Sequence, residues 1–219
     1  MFAPCSRRKR LRPAPELCAA DLAPGSISDL AAAWAKRIRL ADAKVPAGDL
    51  YVGRGLVEAR RAAASLEADL WIVSAGLGLV NARALVPAYS LTVSNGDPDS
   101  IALKAASGFA PGNWWAALQV ANGLPGATLA SLLASRSGLA ILALPGTYLD
   151  LLGDELLTLP VEALVRVRIV GPPRGAVRES LAALWMPYDA RFDGPGGPNP
   201  GTQGDFAQRA ARHFAERIV

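Results

Sequence analysis

Cysteine and histidine are scarce in this 219-residue chain, which holds two of the first and one of the second. Cys5 and Cys18 lie in a Pro- and Arg-rich segment, with no second pair to complete a zinc site. They do not make a disulfide framework, so a reducing, cytoplasmic setting is expected. The lone histidine, His213, sits near the end of the sequence. A Ser-His-Asp triad would need the fold to carry a terminal helix over a distant serine. No His/Asp/Glu cluster has ligand spacing, and neither a metal nor another cofactor is expected. Aromatic residues make up only 6% and are not interleaved with the basic run near the start, which excludes a simple single-strand stacking platform. Long apolar runs are missing too. None reaches the roughly 18 residues of a membrane span, and the basic stretch Arg7 to Arg12 is not followed by the apolar core of a secretory signal. No membrane partner is expected.

What is present is apolar bulk, 51% of the composition, enough for one sizeable core. One α/β domain over residues 1–219 is the expectation, with a basic strand and loop at 1–12 and a Gly/Pro-rich loop and terminal helix at 186–219. The net charge of +4 is local: Arg7, Arg8, Lys9, Arg10 and Arg12 are five of the 23 cations, and the remainder holds 18 cations against 19 acids. Such a cluster pairs with the phosphates of a nucleic acid or nucleotide, or it is a solvated arm.

Helical and strand patterns alternate along the chain. Ser26-Ile27-Ser28-Asp29 has the form of a capping box, and Leu30, Ala33, Trp34, Arg37 and Ile38 recur at helical spacing after it. A second helix is expected over 56–66, and further helical segments around 100–106, 113–121 and 126–134. Trp71 to Ser74, Leu139 to Leu144 and Leu164 to Val170 read as strands, the last with arginines alternating on a wet face. With a short first strand at Met1 to Ser6, this order predicts a mostly parallel sheet of about four strands flanked by helices.

The strand ending at Ser74 is followed by Ala75-Gly76-Leu77-Gly78, and ligands of open α/β sheets bind at the carboxyl ends of strands. Ser74, Gly76 and Gly78 offer a hydroxyl and backbone N–H groups to a base edge or phosphate. If the first strand runs parallel to this one, Cys5-Ser6-x-x-Lys9 emerges at the same edge. Nearby cations favour the Cys5 thiolate, which suits a nucleophile; a small buried hydrophobe is the bland alternative. Tyr51 and Tyr89 are candidates to stack on a base, or core tyrosines with satisfied hydroxyls.

A second constellation lies in the tail. Tyr188, Asp189, Arg191, Asp193 and Asn199 occupy a loop that the run Gly194 to Gly201 keeps from being helix or strand. Thr202-x-x-Asp205 then opens a helix with Asp205, Arg209 and His213 four apart on one face. Asp189, Asp193 and Asp205 are the candidate general acids or bases, and Tyr188, Arg191, Asn199 and Arg209 the candidate ligand contacts. A surface ion pair and a linker docking a terminal helix would explain the same residues.

Taken in order, Cys5-Ser6-x-x-Lys9, Asp49-Leu50-Tyr51-x-Gly53, Trp71-Ile72-Val73-Ser74-Ala75-x-x-Gly78-Leu79 and Pro87-x-Tyr89-x-Leu91-Thr92 resemble the YaaA-like group of small bacterial proteins. The resemblance covers roughly the first hundred residues. This chain departs in a long insertion between Lys9 and Tyr51 and in Gly76-Leu77 replacing a more usual polar or aromatic pair. The group is associated with protection from oxidative DNA damage, with DNA binding and with processing of modified bases, including deazaguanines. The resemblance therefore implies a nucleobase ligand, in DNA or as a nucleotide, with Ser6, Lys9, Tyr51, Ser74, Tyr89 and Thr92 around it. Three functions are consistent: a glycosylase or base-processing enzyme, with an aspartate as acid/base or Cys5 attacking an electrophilic substituent; a non-catalytic DNA-binding module; and a small-molecule nucleotide or nucleoside enzyme.

Overall fold

The computed structural model describes residues 1–121, 128–193 and 200–218; Asn199 and the helical segment's start at 126–127 lie outside them. The elements run β1 (Phe2–Pro4), α1 (Ile27–Leu40), β2 (Val45–Pro46), α2 (Ala47–Leu50), α3 (Arg54–Ser65), β3 (Trp71–Ser74), β4 (Gly78–Asn81) and β5 (Leu85–Val86). They continue with α4 (Pro111–Ala121), α5 (Leu129–Ala134), β6 (Ala140–Ala143), α6 (Gly146–Leu157), α7 (Val161–Leu164), β7 (Val167–Val170) and α8 (Phe206–Ile218). Among the described residues no helix is long and apolar enough to cross a membrane.

The protein is of the α/β class, with a mostly parallel sheet of five strands in the order β4-β3-β1-β6-β7 and helices flanking it. The chain forms two compact units, one of Met1–Pro4, Gly53–Ile72 and Leu129–Val219, the other of Cys5–Val52 and Val73–Thr128.

In the first unit, β1, β6 and β7 lie side by side and parallel, with Phe2 opposite Leu142 and Ala140 to Ala143 opposite Val167 to Val170. All four residues of β6 are buried, as a strand covered on both faces requires, whereas β7 ends the sheet and leaves Arg168 half-exposed. The alternation of arginines with aliphatics is thereby accounted for. Strand β7 starts at Val167 rather than Leu164 because the N–H groups of Leu164 and Val165 are spent on Pro160 and Val161 carbonyls in the turn of α7. Helix α8 is opened by the reciprocal Thr202–Asp205 capping box and packs along α3 with Ala207, Ala210, Ala211 and Phe214 buried. Its Gln208 Nε2 donates to the Ala143 carbonyl at 2.7 Å, tying the helix to the carboxyl end of β6.

In the second unit, Ser26 caps α1 by accepting the Asp29 N–H at 3.1 Å, and Leu30, Trp34 and Ile38 form its buried stripe. Strand β4, the one beyond the expected four of the sheet, is the neighbour of β3 and follows it after three residues, too few for a parallel crossover, so the two run antiparallel, with Gly78 at φ 75°. The expected helix at 100–106 is a single 3-10 turn, Ile101–Leu103. It cannot propagate because the Lys104 carbonyl accepts from Gly25 and the Ala106 N–H donates to the Gly25 carbonyl.

Candidate functional site

β1 and β3 advance in the same direction: Trp71 donates to the Met1 carbonyl at 2.8 Å, and Cys5 donates to the Val73 carbonyl at 2.9 Å. The register moves forward on both strands, the signature of a parallel pair. Cys5 and Ser74 therefore leave the sheet at its carboxyl edge, where α/β proteins place their ligands.

Beyond Cys5, the Ser6 hydroxyl donates to the Val52 carbonyl at 2.9 Å, and the extended segment that follows pairs antiparallel with 50–52. Val52 donates to the Arg8 carbonyl at 3.0 Å and Arg10 to the Leu50 carbonyl at 2.8 Å. These bonds flank Lys9 and Tyr51, which makes them a non-hydrogen-bonded pair with both side chains close together on one face. Alternation does the rest. Arg8 and Arg10 point outward and are exposed, while Lys9 turns inward and is half-buried. Its Nζ lies 4.5 Å from the centre of the Tyr89 ring and 5.6 Å from that of Tyr51, cation–π contacts of about 1 to 2 kcal/mol when desolvated.

The two tyrosines and Ser74 form a closed triangle of hydroxyls. Tyr51 and Tyr89 are 2.8 Å apart, Ser74 and Tyr89 2.6 Å, and Tyr51 donates to Ser74 at 3.3 Å. Three hydroxyl protons serve three contacts, so each group can donate once around the ring. Ser74 Oγ also accepts the Leu77 N–H at 3.0 Å, fixing the turn to its own strand end. All three side chains are buried. Burial raises the pKa of both tyrosines, which stay neutral hydroxyls.

Two tryptophans hold the turn from outside. Trp34 of α1 donates to the Gly76 carbonyl and Trp114 of α4 to the Ala75 carbonyl, each at 2.7 Å. Gly76 must be glycine: a Cβ there would lie 2.4 Å from Tyr89 Cε2. Ser74, Gly76 and Gly78 are thus buried parts of a rigid floor, and the groups with access to solvent are Cys5, Ser6 and Lys9 above it.

Acidic and thiol groups surround the lysine. Burial lowers the Lys9 pKa, and Cys5, Asp99, Asp97 and Cys18 oppose it in that order. Asp97 is engaged by Arg7 at 3.0 Å, and Asp99 accepts the Ala20 N–H at 2.9 Å. Burial, followed by Asp99, raises the Cys18 pKa and keeps it a thiol. Cys18 is carried in by the pairing of Leu17 and Ala19 with Ser90, the neighbour of Tyr89. Thr92 serves structure: its Oγ accepts the Ser94 N–H at 3.1 Å and its backbone pairs with Ser100. Among the described residues no group of three His, Cys, Asp or Glu side chains is placed to hold a metal.

Cys18, Asp97 and Asp99 escape sequence reasoning as site residues. Asn95-Gly96-Asp97-Pro98 marks a turn, but nothing in it says that the turn delivers carboxylates to Lys9. No protein-family model, curated protein or solved structure matches the chain.

The tail residues come together in the first unit. Arg209, only 1% exposed, donates to Asp205 at 2.8 Å, to Asp193 at 2.5 Å and to the Thr202 carbonyl at 2.8 Å. Its guanidinium lies 5.7 Å from the ring centres of both Phe192 and Phe206. Burial works to raise the Asp205 pKa, but the bonds from Arg209 and the Thr202 N–H outweigh it and the carboxyl is held below its ordinary value. On the surface, Asp189 receives Arg191 in a bidentate pair at 2.9 and 2.7 Å, which lowers its pKa. Tyr188 bonds His213 Nδ1 at 3.0 Å. Asp193 and Asp205 are bound by Arg209 in a latch on the terminal helix, and Asp189 is taken up by Arg191 on the surface, a poor arrangement for proton donation.

Proposed function

We propose that this chain is a nucleobase-directed enzyme whose chemistry is carried by Cys5 and Lys9. The observation behind it is that a thiol and a half-buried ammonium converge at the carboxyl ends of β1 and β3, above a floor of hydroxyls that are fully satisfied among themselves. The resemblance to the YaaA-like group supplies the ligand class, a base in DNA or a nucleotide. The exposed Arg8 and Arg10 on the outward face of the same segment suit its phosphates. In this reading the Cys5 thiol adds to an electrophilic carbon substituent of a modified base, such as a nitrile: the sulfur–carbon bond forms as one C–N π bond opens, and the thiol proton passes to the nitrogen, with Lys9 beside it. Asp189, Asp193 and Asp205 are less suited to acid/base work at a glycosidic bond, since each already serves an arginine.

The test is mass spectrometry of nucleosides and free bases after incubating the chain with modified and unmodified DNA. A product that disappears in Cys5→Ala and survives in Asp189→Asn, Asp193→Asn and Asp205→Asn supports the assignment. Unchanged DNA under all conditions counts against catalysis. The exposed Arg7, Arg8, Arg10 and Arg12 favour a second reading, a non-catalytic DNA-binding module. Duplex affinity that falls steeply with salt and with substitution of these arginines, without any product, would select it.

A further inference from the structure

The chain has 19 arginines but only four lysines, Lys9, Lys36, Lys44 and Lys104. Three of them are ordinary. Lys36 is exposed, Lys44 pairs with Asp42 at 3.3 Å, and Lys104 donates to the Ala20 carbonyl at 2.6 Å. Lys9 is different: among the described residues its Nζ makes no ion pair or hydrogen bond to the protein and lies over the faces of Tyr89 and Tyr51. The tyrosine and serine hydroxyls beneath it are turned toward each other in the triangle, and the nearby Asp97 and Asp99 are engaged by Arg7 and the Ala20 N–H. A half-buried ammonium with no protein acceptor is partly desolvated, which favours loss of its proton, and a neutral amine is a nucleophile.

We propose that the Lys9 ε-amine is itself a catalytic nucleophile, and that its substrate is an aldehyde carbon with which it forms an imine. The amine nitrogen bonds to the carbonyl carbon, and the carbonyl oxygen takes the proton that the nitrogen sheds. Loss of water from this carbinolamine leaves a C=N double bond. The protonated imine carries its positive charge over the same two rings and beside the same carboxylates that now face the ammonium, so the site is complementary to the species it forms. Burial, which lowers the Lys9 pKa, works in the same direction by raising the share of neutral amine. The inference rests on the nucleobase reading for one of its two aldehyde sources: the ring-opened deoxyribose left where a base is missing from DNA. The other source is a free small aldehyde.

Reductive trapping decides it. The full chain is incubated near neutral pH with sodium cyanoborohydride and either glyceraldehyde or an oligonucleotide carrying one abasic site, and adducts are located by peptide mapping. The expected result is a secondary amine on Lys9, formed about tenfold faster than on Lys36, Lys44 or Lys104 and absent from Lys9→Arg and Lys9→Met chains whose circular dichroism is unchanged. Equal labelling of the four lysines, or no label at Lys9 with either aldehyde, overturns the proposal. If Lys9 is trapped by glyceraldehyde and not by the abasic oligonucleotide, the amine chemistry stands and the DNA ligand falls. If Lys9 is never trapped while Cys5-dependent base products appear, the nucleobase reading stands and the amine assignment falls. Should both Lys9 variants misfold, the wild-type mapping alone still separates selective from uniform labelling.

Discussion

Tyr51 and Tyr89 share a hydroxyl–hydroxyl bond of 2.8 Å while their rings meet nearly edge to face, at 81°. The bond fixes both ring planes, and Lys9 lies over both rings. Removing one hydroxyl leaves its two partners short of a contact in a buried place. Tyr89→Phe is expected to destabilise the fold by about 1 to 3 kcal/mol, and Tyr51→Phe by less, because one of its two contacts is the long 3.3 Å one. The double variant should cost less than the sum, since the two share a bond. Urea denaturation of the four chains gives the cycle; strict additivity would contradict the triangle.

Gly76→Ala tests the floor by volume. The new methyl would meet Tyr89 ring carbons at 2.4 and 2.8 Å, so the ring or the turn must move. Overpacking of this kind costs about 1 to 3 kcal/mol. Trapping at Lys9 should fall together with stability, as measured by the adduct assay and by thermal melting. Gly175→Ala, where nothing lies within 4 Å, is the control.

The two indole clamps should behave alike. Trp34→Phe and Trp114→Phe each remove a donor from a carbonyl of the Ser74 turn, leaving it unpaired at a cost of about 1 to 3 kcal/mol. Native-state hydrogen exchange at the Leu77 N–H should speed up in both. No change would mean that the turn is held by Ser74 alone.

Lys9 also sets a pH dependence with a definite sign. Its folded pKa is lowered from an unfolded value of about 10.4, so the folded state disfavours the charged form. The resulting penalty is full below the folded pKa, shrinks as pH rises through that value, and is gone above the unfolded one. Lys9→Met is therefore expected to flatten the rise in stability between neutral and strongly alkaline pH. Denaturation midpoints at a series of pH values measure this; a slope that persists in the variant would show that another group causes it.

The Arg209 latch predicts the opposite limb. Removing Arg209 as Arg209→Met leaves Asp205 buried without its main partner, a loss of about 3 to 5 kcal/mol. Asp205 has a depressed pKa, so its contribution is present above the unfolded value near 4 and is lost as pH falls through the folded one. Acid unfolding should begin at higher pH in Asp205→Asn than in the wild type, read by circular dichroism.

Much of this was legible in local pattern. The buried run Trp71 to Ser74 broken by glycines, the Ser26 and Thr202 caps and the alternating arginines of β7 all depend on near neighbours, and sequence spacing reports near neighbours. Strand β4 was less visible because Gly78-Leu79-Val80-Asn81 differs little from a loop until β3 is there to pair with it. The parts of the site that escaped notice all act at long range. Trp34 and Trp114 reach the turn from 42 and 39 residues away, and Ser90 draws Cys18 inward through backbone bonds that no side chain announces. In the tail, spacing puts Asp205 and Arg209 on one helix face, yet spacing alone does not say that a carboxylate already has an arginine.

The antiparallel pairing of Arg8 to Arg10 with 50–52 carries one last implication, which concerns parity. Whether a cation faces the tyrosines or the solvent depends only on an odd or even count of residues from the Ser6 anchor. Deleting Arg8 would leave the net composition of the segment nearly intact while bringing Arg10 into the place of Lys9, a planar group that cannot lose its proton where an amine now lies. The basic run of this sequence is thus a reading frame in which one position is chemical and its neighbours are not.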